Sequence, residues 1–345
     1  MPALDEWPDE WPDKRPDEWL GARSGERPGE PAVNGARGWL LHLGVLGVLV
    51  LAWFVLPPYH TGNLARILVL SVYAAGFNIV FGYTGLLSLG HALFFAAGLY
   101  GLGLSIQHAG LGALPAFGLA LGFSALVAAV TGYLALRTRG VAFMIVTLMF
   151  AQTGYLVVLY AARWTRGDEG FVIARGARSL FGLDLADERT RYFAALILFA
   201  IVFLGLAAIV TSGFGRALVA IRENEERARL LGYDVQRIKW LAVILSGTVS
   251  GAAGAAYALL FGYAGATFAS VQYSILPLLW VLLGGAGTTI GPLIGTVFMF
   301  YLVDFASEIT DAYLLLVGLA LIGLTLFLPR GIAGELRRRA LPWLP

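Results

Sequence analysis

The chain has 345 residues, of which 58% are hydrophobic and 13% charged, and its mean hydropathy is +0.75. Soluble domains carry about 25% charged residues, so a soluble fold of this length is excluded for want of polar surface. A formal net charge of +2 gives no indication of a nucleic-acid partner, and the absence of Cys rules out disulfides and thiolate-bound metal.

Residues 1–37 differ from the rest. Asp5-Glu6-Trp7-Pro8 is followed by Asp9-Glu10-Trp11-Pro12, Asp13-Lys14-Arg15-Pro16 and Asp17-Glu18-Trp19. Proline at every fourth position forbids a helix interior, so 1–37 is expected to be a disordered cytoplasmic tail. The alternative is a docking segment that uses Trp7, Trp11 and Trp19. The first apolar run begins after residue 37, which does not suit a signal peptide.

A bilayer core needs about 20 apolar residues per helix. Ten segments qualify as candidates: Trp39–Leu56, Leu64–Phe81, Leu87–Ile106, Leu114–Leu136, Val141–Ala161, Tyr192–Thr211, Trp240–Tyr263, Ala269–Leu283, Ile290–Phe305 and Ala312–Leu328. The expected fold is an all-α polytopic membrane protein of about ten transmembrane helices. The permease-like body spans 38–332, and 333–345 forms a basic cytoplasmic tail. The eighth and ninth segments are short and flank Gly284-Gly285-Ala286-Gly287-Thr288-Thr289, so 269–305 reads either as two steep spans or as a re-entrant pair. Glycine, 44 residues in all, favours close helix packing.

Positive charge sets the expected orientation, with both termini inside. The tail, Arg137/Arg139, the loop 212–239 and Arg330/Arg337/Arg338/Arg339 then hold 17 of the 24 Lys and Arg on the cytoplasmic side. The loop 163–191 disagrees, since it falls outside and carries six Arg against five acidic residues. Gly82-Tyr83-Thr84-Gly85 and Gly262-Tyr263-Ala264-Gly265 fall on opposite faces, as an inverted repeat with interrupted helices would place them; chance similarity in a Gly-rich chain explains the match equally well.

The chemistry-bearing motifs are few. There is no nucleophile elbow, zinc motif or phosphate-binding Gly loop, and His42, His60, His91 and His108 are too scattered for a metal site. The chain therefore reads as a non-enzyme without a cofactor. Residues 82–91 combine Gly82, Gly85 and Gly90 with Thr84, Ser88 and His91. Such a segment can unwind and offer N–H groups to a substrate carboxylate. The other reading is that its glycines permit packing and Ser88 caps a helix. Asp304 is an acid inside an apolar segment, a costly placement that often marks function. The 212–239 loop alternates acids and bases at helical spacing up to Gly232, as either a solvated helix or a docking element for a cytoplasmic motor.

Four ordered blocks add a family resemblance over roughly 39–332. Glu226-Arg227-Ala228, three residues, then Gly232 resembles the Glu-Ala-Ala-x₃-Gly loop of ABC importer permeases, with Arg227 a departure. Ala220-Ile221-Arg222-Glu223-Asn224-Glu225 and the hallmark-like Gly82–Phe95 block resemble the branched-chain amino-acid permeases of the LivM type. Thr165–Gly170, with Arg166 in place of a small residue, and Gly284–Pro292 agree. The resemblance implies an importer of branched-chain amino acids in a bacterial or archaeal inner membrane. It also implies a homologous second permease, two cytoplasmic ATPase subunits and an external binding protein. ATPase coupling would fall to Arg222, Glu223, Glu226, Ala228 and Gly232, and the substrate path to Thr84, Gly85, Ser88, Gly90 and His91. A urea or short-amide importer shares much of the pattern, and an ion-coupled secondary transporter is the rival from another class.

Overall fold

A computed structural model describes residues 35–180, 182–328 and 330–339. The Asp-Glu-Trp-Pro repeat, with the rest of the tail to residue 34, and residues 340–345 of the basic end lie outside the described residues.

Among the described residues the chain forms fourteen α-helices. These are α1 (Gly35–Val55), α2 (Pro58–Asn78), α3 (His91–Ala109), α4 (Ala113–Ala135), α5 (Val141–Tyr160), the short α6 (Ala162–Thr165), α7 (Glu188–Thr211) and α8 (Gly213–Glu223). They continue with α9 (Glu225–Leu230), α10 (Val235–Phe261), α11 (Val271–Gly284), α12 (Gly291–Ile309), α13 (Tyr313–Phe327) and α14 (Gly331–Arg339). The protein is an all-α polytopic membrane protein. All ten expected apolar segments contain helix, and they differ in length. Eight helices (α1–α5, α7, α10 and α12) are long and apolar enough to cross a membrane, whereas α11 and the Leu315–Leu324 stretch of α13 are shorter. Pro277 inside α11 cannot donate a backbone hydrogen bond, and the helix stops at Gly285, whose φ is +117°.

The core forms where α10 packs against α2, α3 and α4. Without a hydrophobic drive between helices in lipid, close backbone approach must hold them. Gly98 against Gly251 and Gly254 against Phe95 supply it, because a Cβ at any of these would strike main chain or a neighbouring side chain. Tyr73, Phe77, Phe95 and Tyr192 are fully buried around this seam. In contrast, α1 is peripheral: 11% of its apolar window is buried, and it leans on α7 through Tyr192 Oη, which donates to Leu49 O at 2.5 Å. The α11/α12 pair packs on α2, with α13 and α14 against it.

At one end of the bundle, β1 (Phe171–Val172) pairs antiparallel with β4 (Tyr263–Ala264), and β2 (Ser179–Leu180) pairs with β3 (Leu183–Asp184). Two of the arginines of this loop have local work. Arg178 donates to Leu259 O at 2.8 Å and to Leu260 O, satisfying carbonyls of the last turn of α10, and Arg175 pairs with Asp184 at 2.7 Å. The two Gly-Tyr-x-Gly segments end α2 and α10, at opposite ends of the bundle, and each leads through a non-helical stretch into the next helix.

Candidate functional site

The hallmark segment is a built break between α2 and α3. The last turn of α2 widens into a π-turn over Ile79–Tyr83, a local insertion of the kind found at functional sites. Thr84 Oγ1 donates back to Ile79 O at 2.8 Å, and Leu86 N donates to Val80 O at 2.9 Å, so the freed carbonyls are partly recaptured. The chain then runs without helix to His91.

Asn78, fully buried, ties this break to the late Gly-rich turn. Its Nδ2 donates to Thr288 O at 2.9 Å, and its Oδ1 accepts from Gly287 N at 3.0 Å. His42 of α1 reaches the same turn, with Nε2 3.0 Å from Thr289 Oγ1. The third arrival is Arg222 from the end of α8, whose Nη1 donates to Gly82 O inside the π-turn. A Cβ at Gly287 would sit 2.6 Å from that Nη1, and one at Gly85 would sit 3.0 Å from Arg222 Cγ. Three of the four sequence blocks therefore meet at one junction, made chiefly of side chains gripping backbone.

From this junction the 212–239 loop projects as two short helices. Ser212 Oγ accepts from Gly215 N to cap α8, and Asn224 Oδ1 accepts from Arg227 N at 2.9 Å to cap α9. Ile221, Ala228 and Val235 form a small buried cluster that anchors the pair. Glu225 bridges Arg229 at 2.6 Å and Lys239 of α10. Burial pushes the Glu225 carboxyl up, but the hydrogen bond and charge of Lys239, with Arg229 and Arg139, outweigh it and hold it below its ordinary value. The outer surface is different. Glu223, Glu226 and Arg227 are exposed outside any ion pair among the described residues, and Leu230 (88% exposed), Leu231 and Tyr233 form an apolar tip. Gly232 has φ +89° with open space around it, so backbone conformation, not room, requires glycine there.

Ser88 Oγ accepts from Gly90 N at 3.3 Å, and Gly90 and His91 have partners of their own. Leu89 N donates to Thr147 Oγ1 at 3.1 Å, and a Cβ at Gly90 would lie 2.8 Å from Thr147 O. His91 is buried, with Nε2 2.8 Å from Ser246 Oγ, which itself donates to Gly76 O at 2.6 Å. Ser274 Oγ accepts from Ala92 N at 2.9 Å, satisfying a first-turn amide of α3. Of the residues singled out in sequence, the structure thus brings Gly85 together with Arg222, and sets Ala228 in the anchoring cluster. It leaves Glu223 and Glu226 on the open face, and packs Gly90 and His91 into the bundle. Asp304 lies at the opposite end, where both its oxygens accept from Tyr59 Oη at 2.9 Å. Sequence reasoning missed Asn78, a polar residue inside the apolar run of α2, and that incongruity was the available signal.

Comparison with known proteins gives a consistent result. Residues 61–328 match the family described as branched-chain amino acid transport system / permease component. The chain is 27% identical over 331 residues to the high-affinity branched-chain amino acid transport system permease protein LivM of Escherichia coli (strain K12), covering 88% of this chain and 77% of that protein. The protein of the same name from Salmonella typhimurium (strain LT2) matches with the same identity and coverage. The probable branched-chain amino acid transport permease protein LivM of Methanocaldococcus jannaschii is 30% identical over 112 residues, 32% of each chain. No solved structure matches.

Proposed function

We propose, since the chain belongs to the branched-chain amino-acid ABC permease family of the LivM type, that it is the membrane-spanning subunit of an ATP-driven importer of branched-chain amino acids. Its partners in this reading are a homologous second permease, two cytoplasmic ATPase subunits and an external binding protein. It sits in the inner or plasma membrane of a bacterium or archaeon, with both termini cytoplasmic.

The observation that carries the reading is the bond from Arg222 to Gly82 O. The α8–α9 element offers an ATPase an apolar tip ringed by free charges, while Arg222, at its inner side, holds the π-turn of the broken helix. Movement of the docked motor would pull on α9, and Arg222 would pass the pull to Gly82 and, through Asn78, to the 284–290 turn. A hydrogen bond from a charged group contributes about 1.5–3 kcal/mol, strong enough to hold a resting state and weak enough to be broken in each cycle.

Reconstitution tests this. Arg222→Met should leave the complex assembled and hydrolysing ATP, while leucine uptake per ATP falls at least tenfold. Wild-type uptake per ATP in Arg222→Met would refute the relay. A purified complex without ATPase subunits would refute the importer assembly.

A further inference from the structure

The best-buried long helix of the bundle carries an arginine that nothing in the coupling junction uses. Arg66 lies eight residues inside α2, roughly 12 Å along the helix from Pro58. Of the apolar window of α2, 83% is buried, yet Arg66 itself is exposed. Among the described residues no carboxylate pairs with it; the ion pairs are Arg175–Asp184, Arg229–Glu225, Arg237–Asp234 and Lys239–Glu225. Its guanidinium instead lies over the ring of Phe261, with Cζ 5.4 Å from the centroid.

A second unneutralised guanidinium shares that ring. Arg191 Cζ is 5.8 Å from the Phe261 centroid, and Arg191 Nε is buried without a hydrogen-bond partner. The nearest acid in sequence, Glu188, accepts from Thr61 Oγ1 at 3.2 Å instead. Two cations, one inside a membrane span, are thus held by one aromatic face and neither is in an ion pair among the described residues, the Glu188 carboxylate lying a helical turn away against Thr61 and Gly62. Such a site attracts an anion, because a cation within a span is costly until it is paired. Beside it runs an aromatic wall: Tyr257 is 4.7 Å from Phe261, Phe268 is 4.9 Å from Tyr257, and Tyr273 is 5.2 Å from Phe268. A guanidinium next to apolar rings suits a small ligand with a carboxylate at one end and a hydrocarbon side chain at the other.

We propose that Arg66, seconded by Arg191, binds the α-carboxylate of the amino acid in transit, with the Phe261–Tyr257 rings against its side chain. The assignment rests on the importer reading and narrows it, since urea and short amides have no carboxylate for Arg66 to take.

The test uses the complete complex in proteoliposomes with leucine and saturating binding protein. Arg66→Gln should cut leucine uptake at least tenfold, with thermal stability and basal ATP hydrolysis within twofold of wild type, and Arg66→Lys should recover part of the loss. Uptake at the wild-type rate in Arg66→Gln would overturn the assignment. So would a fall in stability with unchanged uptake per folded complex, which would make the cation–ring contact structural. Vesicles of phosphatidylcholine alone, compared with vesicles containing phosphatidylglycerol, separate the two anion sources. The substrate carboxylate predicts the same defect in both, and a defect confined to the anionic vesicles would assign Arg66 to a lipid headgroup. Absence of leucine uptake by the wild-type complex would overturn the importer reading and this assignment with it, whereas an unaffected Arg66→Gln overturns this assignment alone.

Discussion

Replacing Asn78 by leucine probes the junction most directly, because shape is nearly kept while both amide functions vanish. Thr288 O loses its donor and Gly287 N its acceptor. A neutral hydrogen bond contributes about 0.5–1.5 kcal/mol net, and a buried group left unsatisfied costs about 1–3 kcal/mol. Thr288 is buried and Gly287 half-buried, so the full penalty applies to the first and part of it to the second. The expected loss is roughly 2–4 kcal/mol. At about 2–4 °C per kcal/mol for a large domain, the melting point in detergent, followed by tryptophan fluorescence, should fall roughly 4–16 °C. Arg222→Met acts on the same junction through Gly82, so the double variant should be non-additive by at least about 0.5 kcal/mol. A melting point within 1 °C of wild type, or strict additivity with Arg222→Met, would refute the idea that the three blocks form one mechanical unit.

Other perturbations separate conformational from steric demands. Gly232→Val should cost about 1–2 kcal/mol through its positive φ and abolish ATPase stimulation, while Gly232→Asn, which tolerates that region, should keep most of it; equal effects of the two would remove the conformational argument. Gly90→Ala should destabilise by about 1–3 kcal/mol, because the new methyl meets Thr147 O, and a neutral thermal melt would contradict that packing. Glu225 titrates below its ordinary value, so its ion pairs contribute fully above about pH 4.3 and are lost as pH falls through the lower folded value. Protease resistance of the 212–239 loop should accordingly hold from pH 8 to 5 and fall below about pH 4, with Glu225→Gln flattening the curve; loosening between pH 8 and 6 would count against the clamp. For orientation, single Cys at Thr138 or Gly140 should resist an impermeant thiol reagent in intact cells, and Cys at Ala174 or Ser307 should react; the opposite pattern would invert the topology.

Much of the architecture was legible in the residues. Apolar runs gave every long helix, and composition gave the membrane class, because bilayer thickness translates into a residue count. What composition could not give was length in three dimensions. Pro277 lies within α11 and Gly285 ends it, and the run Ala269–Leu283 by itself reads equally as a steep span or as half of a re-entrant pair. The loop 212–239 was readable as a capped helix ending at Gly232, but its division at Asn224 depends on a side chain folding back to Arg227 N, a local competition that charge spacing does not encode. At the junction, the glycines and Arg222 were visible as motifs. Their meeting was not, since Gly82, Arg222 and Gly287 are far apart in sequence, and the 287–288 turn is tied in by Asn78, which reads as an ordinary polar interruption in an apolar run. Residues 82–91 offered open glycines and donors for a substrate; the fold sets Arg222 against Gly85 and packs Gly90 against Thr147.

Apart from His42 on Thr289 Oγ1, the junction is built from side chains that hold main chain. Arg222 takes the carbonyl of Gly82, and Asn78 takes a carbonyl and an amide from the 287–288 peptide units. A contact of this kind has no partner side chain, because every residue type except proline brings the same backbone donor and acceptor. Evolution therefore has no second side chain to adjust in step with Arg222 or Asn78. Paired-substitution signals, which reveal contacts between side chains, should be silent here, and the link between loop and helix should leave its trace only as positions that do not vary.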